Sequence, residues 1–359
     1  MGYDSVGQLT QAIVPLNEAV MEEARVHLDR LTKPPGSLGK LEGLAVKLAG
    51  ITGEAKPAFP KRSVIVMAAD HGVCEEGVSA FPAEVTPQMV HNFLAGGAAV
   101  NVLARQASAD VVCVDIGVNA ELSHPGLVQR KLRYGTGNMA KGPAMSREEA
   151  EAAIRVGVEV VNDAVSQGVR LFVTGEMGIG NTTASAAIMS SLTGIAPQQS
   201  VGRGTGVDDE RLRHKVAVVE RALEANRPNA DDPLDVLAKV GGLEIAGLTG
   251  VILGAAARRC PVVIDGFIST VAALLAVRLK PEAAGYLIAS HVSHEQGHRA
   301  LLQELGLNPM LELDMRLGEG TGGVLALHLV DAACRIVAEM ATFESAGVTG
   351  GGHSGESAQ

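Results

Sequence analysis

The sequence predicts the α/β class, with a mostly parallel sheet carrying helices on both faces. Three observations predict it. Short apolar runs recur at residues 63–69, 110–114, 171–174, 261–264 and 286–289, with helical stretches between them. The 359-residue chain is 47% hydrophobic, which allows a large core and about two domains. Its 43 glycines are scattered through ordered-looking segments without a repeat, which suits a fold with many tight turns. With no Trp, three Tyr and six Phe, the core is built from Ala, Val, Leu and Ile.

In chain order, residues 8–31 read as one helix, with Leu9, Ile13, Leu16, Val20, Ala24 and Leu28 near one face. Pro34 and Pro35 stop it, and Ser37 caps the next helix, through about Ile51. The first strand, Ser63 to Ala69, runs into Asp70, His71 and Gly72, then a polar loop to Pro82. Thr86, followed by Pro87, opens a helix through Gly96 and Gly97 to Arg105. The second strand starts at Asp110 and ends at Asp115. Ser146 and Glu149 form a capping box for a helix to about Ser166. The third strand, Leu171 to Thr174, leads into a glycine turn at 175–183 and then a helix. A second glycine turn, at 202–206, precedes a helix that begins at Asp208 and Asp209. The strands at 261–264 and 286–289 end at Asp265 and at Ser290 with His291. Residues 311–317 read as an edge strand or an extended loop, and the last helix runs from Thr321 to Met340. The glycine-rich tail at 347–359 is expected to fray.

A net charge of −10 argues against a general nucleic-acid binder but leaves room for a small anionic substrate. Cys74, Cys113, Cys260 and Cys334 are far apart with no Cys-x-x-Cys, the pattern of reduced thiols in a cytoplasmic protein. No apolar run reaches membrane-spanning length, and the N-terminus lacks a signal-peptide pattern.

In parallel sheets, ligands bind beyond the carboxyl ends of the strands. Here those ends carry Asp70 and His71, Asp115, Thr174 and Glu176, Asp265, and Ser290 and His291, which points to one cleft. The glycine turn at 175–183 is not a Walker loop, because no Gly-Lys-Ser/Thr ends it. Nor is it the dinucleotide fingerprint, whose third glycine would fall at Thr183. A glycine turn entering a helix offers unpaired N–H groups and a positive dipole end, so it reads as a phosphate or sugar-phosphate site. The plain alternative is a strand-to-helix connection. Glu319, between Gly318 and Gly320, sits on backbone that can approach a ligand closely, or else marks a helix-start turn. Lys215 is a phosphate counter-charge or a solvated lysine. Residues 294–298 (HEQGH) match the zinc pattern H-E-x-x-H, with His294 and His298 as ligands, Glu295 as base and Glu319 as a possible third ligand. Against zinc, Gly297 weakens the helix that pattern needs, and both glycine turns are left without a role. The alternative for His294 and His298 is capping and hydrogen bonding at a helix start.

Taken together, residues 31–39 (LTKPPGSLG), 69–72 (ADHG) with 76–79 (EGVS), and 175–182 (GEMGIGNT) resemble the nicotinate-nucleotide–dimethylbenzimidazole phosphoribosyltransferase family. Residues 201–206 (VGRGTG), 265–267 (DGF), 290–295 (SHVSHE) and 316–322 (RLGEGTG) continue the resemblance in order over nearly the whole chain. It implies transfer of the 5-phosphoribosyl group from nicotinate mononucleotide to 5,6-dimethylbenzimidazole, giving α-ribazole 5'-phosphate and nicotinate, in cobalamin nucleotide-loop synthesis. It also implies a Rossmann-like sheet domain over 60–318 and a smaller helical domain from 1–59 with 319–346. No cofactor or metal is expected, and the resemblance implies a homodimer in which the partner's small domain closes the cleft. By the same resemblance Glu319 is the general base, and Glu176 lies near the reacting ribose or ring nitrogen. Gly178, Gly180, Asn181, Thr182, Gly202, Gly204, Gly206 and Lys215 cradle the phosphate. Asp265 and Ser293 lie near the nucleotide, and Ser79, Phe81, Gln88, Met177 and Leu317 form the benzimidazole pocket.

Overall fold

The computed structural model describes residues 5–204, 206 and 208–349. The expected tail therefore lies outside the described residues from 350 onward. A six-stranded sheet organises the fold. Its strands are β1 (Arg62–Ala69), β2 (Asp110–Gly117), β3 (Leu127–Gln129), β4 (Leu171–Met177), β5 (Val262–Ile264) and β6 (Leu287–Ala289). Their order is β3-β2-β1-β4-β5-β6, and every pairing is parallel. Seven consecutive residues of β1 are buried, as expected of a strand covered on both faces. The helix Leu243–Ala257 packs on β1, β2 and β4 and also on the helix Arg147–Ser166. The capping box is formed: the Ser146 hydroxyl accepts from the Glu149 N–H at 3.1 Å, and the Glu149 carboxylate accepts from the Ser146 N–H at 2.8 Å.

Several element boundaries differ from expectation, each for a local reason. The helix expected over 8–31 is two, Val6–Gln11 and Glu18–Arg30. Pro15 lacks the N–H and restricts the residue before it, and Asn17 caps the second helix through the Val20 N–H at 3.2 Å. The next helix is Lys40–Thr52, with Gly39 rather than Ser37 at its N-cap and no side-chain cap there. Glu42 instead reaches back to accept from the Leu38 N–H at 2.9 Å. The helix expected from Thr86 to Arg105 breaks into Val85–Leu94 and Ala99–Gln106, because Gly96 turns the chain at a φ of 75°. Thr86 is buried inside the first piece, where its hydroxyl accepts from the Ile179 N–H at 3.1 Å. β4 runs to Met177, so Gly175 and Glu176 belong to the strand and not to the turn. Of residues 311–317, only β8 (Leu311–Glu312) is strand; it pairs in parallel with β7 (His291–Val292).

The helix Thr321–Glu339 is long and apolar enough to span a membrane by length and composition, contrary to expectation. It carries Asp331 and Arg335 and buries Val324, Leu327, Val330 and Val337, the pattern of a core helix.

The chain forms two compact units, and the boundaries differ from those expected at 59/60 and 318/319. The sheet unit holds residues up to Val14 together with Phe59–Leu327. Val6 and Leu9 are buried, and their helix packs on Leu243–Ala257 and Arg147–Ser166, which draws the N-terminal segment into this unit. The smaller unit holds Pro15–Ala58 and the residues from His328 onward. Within it the helices Glu18–Arg30 and Lys40–Thr52 pack together. A Lys33–Glu42 ion pair at 2.9 Å and a bridge between Leu31 and Thr342 tie the small unit to itself.

Candidate active site

The strand order reverses at the β1–β4 pair, and the space beyond their carboxyl ends is where an open α/β sheet leaves a crevice. A cavity of about 610 Å3 occupies that position. Of the residues expected at the site, Phe81, Glu176, Met177, Gly178, Asn181, Thr182, Gly204, Asp265, Ser293, Leu317 and Glu319 line it. Ser79, Gln88, Gly180, Gly202, Gly206 and Lys215 do not. Ser79 sets the turn into Phe81 by accepting its N–H at 3.1 Å. Gln88 is exposed, and Val85 and Met89 of the same helix face the cavity instead. Gly180 is the left-handed N-cap of the helix Asn181–Thr193. Lys215, 1% exposed, lies behind the wall: its Nζ donates to the Thr182 hydroxyl at 2.7 Å and to the Gly202 carbonyl at 3.4 Å.

The end of β4 delivers Glu176. Burial pushes its pKa up to about 8, with the negative charges of Asp265 and Glu244 adding to the effect. Asn181 donates to its carboxylate, and a backbone hydrogen bond from Glu319 also opposes the shift. Glu319 comes from the loop that enters the helix Thr321–Glu339. Its φ of 63° is left-handed, as are those of Gly318 and Gly320, and for a glutamate this costs about 1–2 kcal/mol. The strand leaves room for the loop because Gly175 has no side chain: a Cβ there would stand 2.4 Å from the Glu319 carbonyl oxygen. Burial raises the Glu319 pKa, the Val100 N–H at 3.4 Å lowers it, and Asp265 raises it further.

Asp265 lines the cavity, yet its oxygens are committed to the chain. One accepts from the N–H groups of Gly322 and Gly323 at 2.8 and 3.0 Å, the other from that of Gly320 at 3.1 Å. It thereby holds both the loop bearing Glu319 and the start of the helix Thr321–Glu339. Beneath the 178–180 turn, the His71 ring meets the Glu244 carboxylate at 2.7 Å, both side chains fully buried. Burial opposes a charged imidazole there, but the Glu244 carboxylate outweighs it and holds the His71 pKa above its ordinary value. Burial lowers the Lys215 pKa to about 8, with Glu295 opposing the shift.

The zinc geometry does not form. The helix begins only at His298, so His294 and His298 share no helix face, and His294 is exposed. Both nitrogens of His298 are engaged, one with the Thr270 hydroxyl at 2.9 Å and the other accepting from the Ser293 N–H at 2.8 Å. Burial, with His291 nearby, lowers its pKa to about 3, so it stays neutral.

Val85, Met89, His291, Glu295 and Arg316 also line the cavity and were not expected there as binding residues. His291 was visible as a strand-end polar residue, and Glu295 and Arg316 lie inside the motifs at 290–295 and 316–322. Val85 and Met89 carry no chemical signal in the sequence; only the position of their helix brings them in.

Comparison with known proteins agrees in one direction. A family model described as phosphoribosyltransferase matches residues 13–348. The nicotinate-nucleotide–dimethylbenzimidazole phosphoribosyltransferase of Chloroflexus aggregans is 60% identical over 343 residues, 95% of this chain and 97% of that one. The enzyme of the same name from Halalkalibacterium halodurans is 57% identical over 345 residues, 96% and 97% of the two chains. A crystal structure of the Thermus thermophilus enzyme superposes with a TM-score of 0.89 at 49% identity, covering 94% of this chain and all of that one.

Proposed function

The chain belongs to the nicotinate-nucleotide–dimethylbenzimidazole phosphoribosyltransferase family, and from that premise we propose how its cavity carries out the transfer. The reaction moves the 5-phosphoribosyl group from nicotinate mononucleotide to 5,6-dimethylbenzimidazole and supplies the α-ribazole 5'-phosphate of the cobalamin nucleotide loop. A ring nitrogen of the benzimidazole attacks C1' of the ribose on the face opposite nicotinate, inverting β to α. The pyridinium departs as a neutral ring and needs no proton. The benzimidazole must lose one, because its second nitrogen turns acidic as the first bonds to carbon. Glu319 is the base that takes it, and such a base is worth ~10²–10⁴-fold.

The observation that carries this reading is the pairing of Glu319 with Glu176 in one cavity. With a pKa near 8, Glu176 is protonated at neutral pH and serves as a hydrogen-bonding group, not a base. Among the described residues the Glu319 carboxylate accepts one hydrogen bond, from Val100, which leaves acceptor capacity for the substrate proton. The phosphate end sits at the glycine turn and the start of the helix Asn181–Thr193, with Lys215 supplying charge through Thr182. Phe81, Met177 and Leu317 offer apolar surface for the flat benzimidazole. The enzyme acts as a homodimer in the cytoplasm, a setting that its free cysteines suit.

The test is to mix the protein with both substrates and follow nicotinate and α-ribazole 5'-phosphate by chromatography. Release of nicotinate that depends on dimethylbenzimidazole is expected. Release without the base would make the protein a nucleotide hydrolase and overturn the reading. Sedimentation should give the mass of two chains.

A further inference from the structure

The cavity wall is acidic. Asp265, Glu295 and Glu319 line it beside the protonated Glu176, and among the described residues Arg316 is the one Lys or Arg side chain that does. Arg316 is exposed, and among the described residues its guanidinium makes no hydrogen bond or ion pair. Its backbone, by contrast, is pinned on both sides. The His294 N–H donates to the Met315 carbonyl at 2.9 Å, and the Gly320 N–H to Asp265 at 3.1 Å. Gly318 lies against Glu176, where a Cβ would stand 2.2 Å from the carboxylate oxygen. Arg316 is thus a free cationic head on a fixed base, three residues before the proposed base Glu319.

Nicotinate mononucleotide carries two anionic groups at opposite ends, the 5'-phosphate and the ring carboxylate. Lys215, behind Thr182, addresses one end only. A carboxylate entering a cavity walled by other carboxylates is opposed unless a cation meets it. The planar guanidinium matches a carboxylate through two parallel hydrogen bonds, which a lysine ammonium cannot reproduce. We propose that Arg316 is a specificity-determining residue that pairs with the carboxylate of the departing pyridine ring and selects the acid nucleotide over its amide counterpart. The proposal rests on the transfer reading above.

Its test compares the whole enzyme with R316Q and R316K. The readouts are kcat/KM for nicotinate mononucleotide and for nicotinamide mononucleotide, each with dimethylbenzimidazole, and inhibition by free nicotinate and by ribose 5-phosphate. In R316Q, kcat/KM for the acid nucleotide should fall roughly ten- to hundred-fold and nicotinate inhibition should weaken alike. Turnover of the amide nucleotide and inhibition by ribose 5-phosphate should stay within about twofold. R316K should recover part of the loss, because it restores the charge without the fork. An equal loss with both nucleotides, or weakened ribose 5-phosphate inhibition, would overturn the assignment. Failure of the unsubstituted enzyme to release nicotinate at all would strike the transfer reading instead. Calorimetric binding of free nicotinate to the wild type and R316Q would then decide Arg316 by itself.

Discussion

Glu176 and Glu319 line the same cavity, and their different surroundings are the basis of the different tasks proposed for them. Glu319→Gln should lower kcat by ~10²–10⁴-fold with little change in nucleotide binding; near-normal turnover would remove it as base. The pH profile has two limbs. Activity should fall on the acid side as Glu319 protonates, at a higher pH than an ordinary glutamate would because burial raises its pKa. It should fall again near pH 8, where both Glu176 and Lys215 lose their protons. If Lys215 supports the phosphate as proposed, bound phosphate keeps it charged, so at saturating nucleotide the alkaline limb in kcat belongs to Glu176 and should vanish in Glu176→Gln. The same substitution has a stability signature. A carboxyl with a raised folded pKa holds more protons folded than unfolded between pH 4.5 and about 8, so stability is lost as pH rises through that window. Glu176→Gln should therefore raise Tm at pH 9 relative to the wild type, with the gap shrinking at pH 5. An equal change at both values would mean that the buried charge is not the cause.

At the scale of the element, β4 meets the loop that opens the helix Thr321–Glu339. Gly175 lets the loop lie against the strand, and Asp265 grips the loop by three backbone N–H groups. Gly175→Ala should displace Glu319 and cut kcat far more than it raises KM, while a folded, near-normal crystal structure with Glu319 in place would contradict that. Asp265→Ala removes acceptors for three buried donors, and charged hydrogen bonds contribute about 1.5–3 kcal/mol each. A loss of several °C in Tm, even without ligand, is the expected outcome. An effect on nucleotide KM alone would give Asp265 the substrate contact that the sequence resemblance implied. Strand identity was legible here from the apolar run before Thr174, but the length of β4 was not. Glycine is a poor strand former in isolation, and only pairing of Gly175 with Val66 in β1 keeps the chain extended through Glu176.

At the scale of the molecule, the parallel order β3-β2-β1-β4-β5-β6 places the ends of β1, β4 and β5 along one edge. That order follows from where each helix returns the chain, and it makes β1 and β4 neighbours though about a hundred residues separate them. A ligand that binds only the folded state stabilises it by about 2.7 kcal/mol at a hundredfold excess over Kd. Nicotinate mononucleotide should therefore raise the Tm of the sheet unit. The rise should shrink in Lys215→Ala if the buried lysine supports the phosphate, and an undiminished rise would place the phosphate elsewhere.

The sequence by itself determined the fold class, five of the six sheet strands and half of the residues that line the cavity. Apolar runs, capping residues and glycine spacing are local signals, and local sterics and hydrogen bonding give rise to them directly. It did not determine that Gln88 faces away while Val85 and Met89 face in, that Lys215 is buried behind Thr182 and donates to its hydroxyl, or that His298 is sealed by Thr270 and Ser293. It also left open where the compact units divide. These were decided by the tertiary structure, because each depends on which distant element packs against the residue, and burial and hydrogen-bond partners exist only once that packing has formed.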